Sequence, residues 1–149
     1  MEKILVTCST GHLGTSVIKT LLTKILPRQI DVISRTKQKL TELKAQGVNT
    51  FVASYEDAVS LENAIDGVDT ILLISGGDKE DRMQEHKNVI DVAKKLGIRN
   101  IAYTSRCLHN RNTLANRLMV EHFQTEDYIN ASGLQYTLFR NILYMDAIP

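Results

Sequence analysis

Six short runs of β-branched and aliphatic residues, at positions 3–7, 30–34, 50–53, 70–75, 100–104 and 135–140, alternate throughout this sequence with segments of helical spacing. Each run has the length and composition of a strand buried on both faces. Between them Leu13, Val17, Leu21 and Leu22, then Val89, Ile90, Ala93 and Leu96, then Phe123, Tyr128 and Ile129 recur at intervals that gather apolar side chains on one helix face. A parallel strand pair cannot be closed by a tight turn, so strict alternation predicts parallel strands joined by right-handed helical crossovers. The resulting fold class is α/β: a doubly wound parallel six-stranded sheet with helices on both faces. Local punctuation agrees, with Gly47, Gly97 and Gly133 placed to end helices ahead of strands. Asp57 and Ser60 are placed to cap a short helix over 61–65, which Gly67 ends.

Composition narrows the setting. A chain of 149 residues with 43% hydrophobic and 23% charged residues suits one globular domain and is far from the signature of disorder. Eighteen basic against seventeen acidic side chains leave a net charge of +1, so no overall field would draw nucleic acid or an anionic membrane to this surface. The longest apolar run, 70–75, is far short of the roughly 20 residues a membrane span needs, and a cytoplasmic location is the default. Cys8 and Cys107 fit neither a metal-ligand spacing nor a disulfide framework and read as reduced thiols.

The segment most informative about chemistry lies at the end of the first strand: Thr7, Cys8, Ser9, Thr10, Gly11, His12, Leu13 and Gly14 form a small-residue turn that opens the first long helix. A helix starting there offers unpaired backbone N–H groups and the positive end of its dipole to a pyrophosphate, and Gly11 and Gly14 let the backbone approach closely. This is the phosphate-binding turn of a dinucleotide-binding Rossmann fold, in the spacing GxxGxxG, with Cys8 standing where a first glycine is expected. A side chain at such a turn costs on the order of 1–3 kcal/mol if the backbone there must adopt an angle suited to glycine. The bland alternative is a turn whose glycines only pack helix against strand.

The second strand runs into Arg35, at the position that faces the adenosine ribose. An acid there would bind the 2′-hydroxyl of NAD, whereas a guanidinium pairs with the 2′-phosphate of NADP, so NADPH is expected in preference to NADH. Arg35 and Lys37 could instead be a solvated helix start. Ser54 and Tyr55 after the third strand, and Ser75 and Gly76 after the fourth, sit at strand ends that should line the same cleft. Gly76 and Gly77 serve equally well as a plain loop before a helix beginning near Asp81.

Val6 to Gly14, the stretch His86-Lys87-Asn88-Val89-Ile90-Asp91-Val92-Ala93-Lys94-Lys95, Tyr103-Thr104-Ser105, and Ser132-Gly133-Leu134-Gln135-Tyr136-Thr137-Leu138-Phe139-Arg140-Asn141 together resemble the NmrA-like atypical short-chain dehydrogenases, in particular their bacterial NAD(P)H:quinone oxidoreductases. The resemblance spans essentially the whole chain. It implies an NADP-binding Rossmann domain over 1–149, with the smaller C-terminal substrate region of such proteins absent, and a small-molecule quinone or similar electrophile as substrate. It also implies a substrate and nicotinamide pocket at Ser105, His109, Asn141 and Tyr144. Each has a plainer reading as cap, loop residue, turn former or core cover.

Two departures weaken the cofactor contacts: Cys8, and Ala53-Ser54 where the family has Gly-Asp, the acid that holds the adenine amino group. No general acid is evident either. Tyr103 is followed four residues later by Cys107 rather than by the lysine of classical dehydrogenases, and the position eight before Glu126, which carries a lysine in some relatives, is Leu118. Quinone reduction tolerates this, because hydride passes directly to an electron-poor ring and the protein mainly positions the two. His122 reads as a helix residue that packs or meets water. Three readings remain: an NAD(P)H-dependent oxidoreductase of the quinone reductase type, a non-catalytic NADP-binding or redox-sensing module, or an inactive remnant of the enzyme. A homodimer is compatible with all three.

Overall fold

The computed structural model describes residues 1–76, 81–107 and 117–141. Strands β1 (Ile4–Val6), β2 (Ile30–Ser34), β3 (Asn49–Val52), β4 (Thr70–Leu73), β5 (Asn100–Arg106) and β6 (Gln135–Asn141) form one parallel sheet in the order β3-β2-β1-β4-β5-β6. Helices α1 (His12–Leu21), α2 (Thr41–Ala45), α3 (Ala58–Ile65), α4 (Arg82–Lys95) and α5 (Arg117–Ser132) alternate with them, and 3-10 turns cover Pro27–Gln29 and Lys37–Leu40. The doubly wound sheet expected from the alternation is therefore present. Gly97 and Gly133 take left-handed φ values of 67° and 83° where a side chain would be strained, and each turns a helix into the next strand.

The chain lays down β1, β2 and β3 outward in one direction and then returns to place β4 on the other side of β1. A crevice opens where the two halves diverge, outside the carboxyl ends of the strands. Register deepens it. Val6, the last residue of β1, pairs with Val32 and Leu72, while β2 continues to Ser34 and β4 to Leu73. The turn after β1 is thus set between two longer neighbours.

Two apolar cores hold the layers. Leu5, Ile33, Ile71, Leu73, Ile101 and Tyr103 meet Leu61 and Ile65 of α3, Val89, Ile90 and Ala93 of α4 and Ile129 of α5 on one face. On the other, Val6, Ile30 and Val32 meet Ile18 of α1, with Leu40 and Val48. Asp57 caps α3 through its carboxylate, which accepts from the Val59 N–H at 3.1 Å. The expectation that every run is buried on both faces fails for β3 and β6, which leave Val52, Tyr136 and Phe139 exposed. Both are edge strands in this order, so each lacks a neighbour on one side.

The apolar face of α4 is interrupted by polar residues that are themselves buried: Arg82, Glu85 and His86. Arg82 Nε donates to Glu121 Oε2 of α5 at 3.0 Å, and its Nη1 lies 3.4 Å from His122 Nε2. A guanidinium only donates, so His122 Nε2 accepts and its Nδ1–H faces the Tyr103 hydroxyl at 2.7 Å. By the same logic the Gly76 N–H, 3.1 Å from His86 Nε2, fixes His86 as the neutral Nδ1–H form, which donates to Thr125 Oγ1 at 3.0 Å. His122 is therefore neither plain packing nor solvated. It is a buried, fully engaged link between β5 and α4.

Burial, reinforced by the Arg82 guanidinium, holds the pKa of His86 down to about 3 and that of His122 down to about 4. An unfolded histidine titrates near 6.5, so between that pH and the folded values the unfolded chain binds more protons. The stability contributed by keeping both rings neutral is complete above about pH 6.5 and is lost as pH falls toward 4, at up to about 1.4 kcal/mol per pH unit for each ring. Urea melts at pH 7.5, 6, 5 and 4.5 should show a midpoint that falls across the acid range, with a shallower fall in His122→Gln; a midpoint independent of pH would contradict this account.

Candidate functional site

The cleft at the strand ends encloses about 690 Å³ and is bounded by the β1 turn, the ends of β2 and β3, the β4 loop and the first turn of α4. It is lined by Cys8, Thr10 and Gly11 of the β1 turn, by Ile33, Ser34, Arg35, Thr36 and Lys39 at and after the end of β2, by Ala53, Ser54 and Tyr55 after β3, and by Gly76 and Glu85.

Gly11 is the N-cap of α1 and supplies no side-chain hydrogen bond, so the first-turn N–H groups are left for an outside acceptor. The turn is locked from below. Gly11 N–H donates to the Cys8 carbonyl at 3.0 Å, and Ser9 Oγ donates to the Ile33 carbonyl of β2 at 2.8 Å. Thr7 Oγ1 accepts the Ile74 N–H at 2.8 Å and donates to the Leu72 carbonyl at 3.2 Å, joining β1 to β4. Gly14 is buried against this turn, where a Cβ would stand 2.2 Å from the Cys8 carbonyl oxygen. A Cβ on Gly11 would come no closer than 3.5 Å to the same oxygen.

Cys8 has a φ of 48°, the one positive value outside glycine among the described residues. The anticipated strain is present, about 1–2 kcal/mol for an L-residue in the left-handed region. In return its sulfur reaches across the cleft floor, 3.3 Å from the Tyr55 hydroxyl and 3.7 Å from the Ile74 carbonyl. Enclosure of the Tyr55 hydroxyl, with Cys8 beside it, pushes its pKa well up.

The cleft carries charges of both signs. Arg35 is exposed and forms no hydrogen bond or ion pair among the described residues, and Lys39 and Glu85 line the same cleft. Ser54 closes its own loop, its Oγ accepting the Glu56 N–H at 3.3 Å, and the Ser75 N–H donates to Thr104 Oγ1 at 2.8 Å.

The positions suggested by the sequence therefore separate into groups. Thr10, Gly11, Arg35, Ser54, Tyr55 and Gly76 line the cleft. Thr7, Ser9, Gly14 and half-buried Leu13 build its support, His12 is exposed at the start of α1, and Ser75 is tied to β5. Ser105 lies buried on β5 with an Oγ that has no hydrogen-bond partner among the described residues, and the carbonyl of Asn141 at the end of β6 accepts from the Cys107 N–H at 2.9 Å. His109, Tyr144 and Gly77 lie outside the described residues. Reading the sequence missed Lys39 and Glu85, although Lys39 follows Arg35 by four and Glu85 falls on the buried stripe of α4. Tyr103 is withdrawn from the cleft into its contact with His122, and burial raises its pKa. No group of three or more His, Cys, Asp or Glu suited to a metal occurs among the described residues.

The two glycines of the turn should separate by experiment. Gly14→Ala should lower stability by roughly 2 kcal/mol or more, because a backbone carbonyl must move. Gly11→Ala should cost no more than about 1 kcal/mol, the loss expected at an N-cap. Equal losses in urea denaturation would contradict the packing described.

Known proteins share this architecture. Residues 1–148 match the model of the NmrA-like family. The chain is 40% identical over 143 residues to quinone oxidoreductase 2 of Escherichia coli K12, covering 96% of this chain and 49% of that protein. The crystal structure of an NADPH-dependent quinone oxidoreductase of E. coli in complex with NADPH superimposes with a TM-score of 0.89 at 40% identity, over 97% of this chain and 50% of that one. Triphenylmethane reductase of Citrobacter sp., solved with NADP(H), gives a TM-score of 0.90 at 34% identity, over 97% and 50% of the two chains. The chain thus spans about half the length of the relatives it matches, and its fold is that of their NADPH-binding reductase architecture. Matched over residues 1–148 by that family's model, the chain belongs to the NmrA-like family.

Proposed function

We propose that this chain binds NADPH in the cleft between β1 and β4 and is the cofactor-binding part of an NAD(P)H-dependent oxidoreductase of the quinone reductase type. The observation that carries the reading is the exposed Arg35 guanidinium, unpaired among the described residues, in the same cleft as the open N-terminus of α1. A 2′-phosphate and a pyrophosphate are the anions these two features suit. The residues fit the cofactor: the cleft has the volume of a nucleotide site, and Gly11 leaves open the approach to the first-turn N–H groups.

NADPH supplies a hydride when bound. The chain's own part is binding and orientation. Thr10, Gly11 and the start of α1 hold the pyrophosphate, Arg35 and Lys39 the 2′-phosphate, and Ser54, Tyr55 and Gly76 the adenosine side. Ser105, at the carboxyl end of β5 with a buried hydroxyl that has no partner among the described residues, is assigned to the substrate side with Asn141. The substrate class is a quinone or comparable electrophile that needs no protein acid at the hydride step. That suits a site whose Tyr103 is buried against His122. Two free cysteines accord with a cytoplasmic setting.

The withdrawal of Tyr103 also favours a second reading, a non-catalytic NADP-binding module with the same affinity and no turnover. In either case self-association as a homodimer would involve the β6 edge, where Tyr136 and Phe139 are exposed.

Calorimetric titration decides the cofactor. The natural chain should bind NADPH more tightly than NADH, and Arg35→Ala should weaken NADPH by roughly 10- to 100-fold while leaving NADH nearly unchanged. Equal affinity for both cofactors in the natural chain, or an equal loss for both in the variant, would overturn the assignment. Oxidation of NADPH by added benzoquinones then separates enzyme from binding module.

A further inference from the structure

Glu85 is the one feature of the cleft that anion binding does not explain. It stands in the first turns of α4 with its side chain on the cleft wall, yet the residue is only 7% exposed. Among the described residues its carboxylate has no hydrogen bond and no ion pair, although Arg82 and His86 beside it are both engaged with α5. Its oxygens are not sealed away from the cleft, so the carboxylate is an open acceptor for a donor that a ligand brings in.

Its location is fixed. A Cβ placed on Gly76 would lie 3.5 Å from Glu85 Oε2, so the carboxylate abuts the β4 loop. One helical turn on, Asn88 Nδ2 donates to the Tyr55 carbonyl at 2.8 Å, which docks this face of α4 on the loop after β3. Glu85 therefore meets the cleft beside Gly76, in a lining it shares with Ala53, Tyr55 and Arg35. A phosphate facing a carboxylate would be repelled, so the ligand group at this point must be an N–H or O–H donor.

We infer that Glu85 reads the base of the bound dinucleotide, its carboxylate accepting a hydrogen bond from the exocyclic amino group of adenine. The inference rests on the dinucleotide reading above. With Arg35 on the 2′-phosphate, the base attached to that same ribose has the apolar lining residues Ile33 and Ala53 to rest on, and Glu85 of the same lining to meet its amino edge. This carboxylate thus places an acceptor in the cleft from α4. It makes Glu85 a specificity determinant for adenine over a base that presents an oxygen at the same position.

The test compares NADPH with its reduced hypoxanthine analogue, in which the amino group is replaced by oxygen, by calorimetry on the full chain. The natural chain should prefer NADPH by roughly tenfold or more, since the analogue sets oxygen against carboxylate. Glu85→Ala should bind the two within about twofold of each other, by weakening NADPH without weakening the analogue. Glu85→Gln, whose amide can turn either its oxygen to the amino group or its NH2 to the analogue's oxygen, should likewise lose most of the preference, and it carries the comparison if the alanine variant does not fold. A preference unchanged in both variants, or absent from the natural chain, overturns the role of Glu85 while leaving cofactor binding intact. Failure of the natural chain to bind NADPH at all overturns the dinucleotide reading and this inference with it.

Discussion

Helix α1 can approach the end of β1 as closely as it does only because position 14 carries no side chain. The Cys8 carbonyl occupies the space a Cβ would need. From that contact come the direction of the helix, the presentation of its N-terminus to the crevice, and the depth of a turn already recessed between β2 and β4. The hydroxyls of Thr7 and Ser9 serve the same end, tying the turn to β4 and β2. A rigid ring of N–H groups is useful to an anion because it need not be reorganised on binding.

A second constraint acts from the opposite side of the sheet. The Gly76 N–H, part of the cleft wall, donates to His86, and His86 is held by Thr125 of α5. Tyr103, His122 and Arg82 continue the connection to Glu121. Buried polar networks of this kind are stable only when every member is satisfied, and the tautomers required by Arg82 and by the Gly76 N–H are mutually consistent. The wall of the cleft is therefore positioned by a polar seam running through the α4–α5 interface and not by apolar packing alone. Cys8 is the local exception, a residue with a side chain in a left-handed conformation whose sulfur spans the floor between Tyr55 and Ile74.

Much of this was legible beforehand. The alternation of runs specified parallel strands and crossovers, and the glycine turn specified where the crevice had to open. The features that escaped were those set by three-dimensional order. Sequence runs cannot show which strands will be edges, so the exposure of β3 and β6 was not anticipated. Residues 82 and 86 fall on the same helical stripe as Val89, Ile90 and Ala93, and such polar intrusions signal a buried network, but their partners on α5 lie some 40 positions away. Lys39 and Glu85 belong to the cleft through the packing of their helices, which no local pattern encodes. Arg35, by contrast, needed only the end of a strand to be located.

The central claim is that the crevice between β1 and β4 receives NADPH through the start of α1 and Arg35. Amide hydrogen exchange with and without NADPH tests it most directly, because it reports the backbone groups held to be the ligand's donors. Slowed exchange in peptides covering 8–15, 34–39 and 75–76, with β6 unaffected, is the result this account predicts. Unchanged exchange at saturating NADPH, or protection confined to other segments, would contradict it.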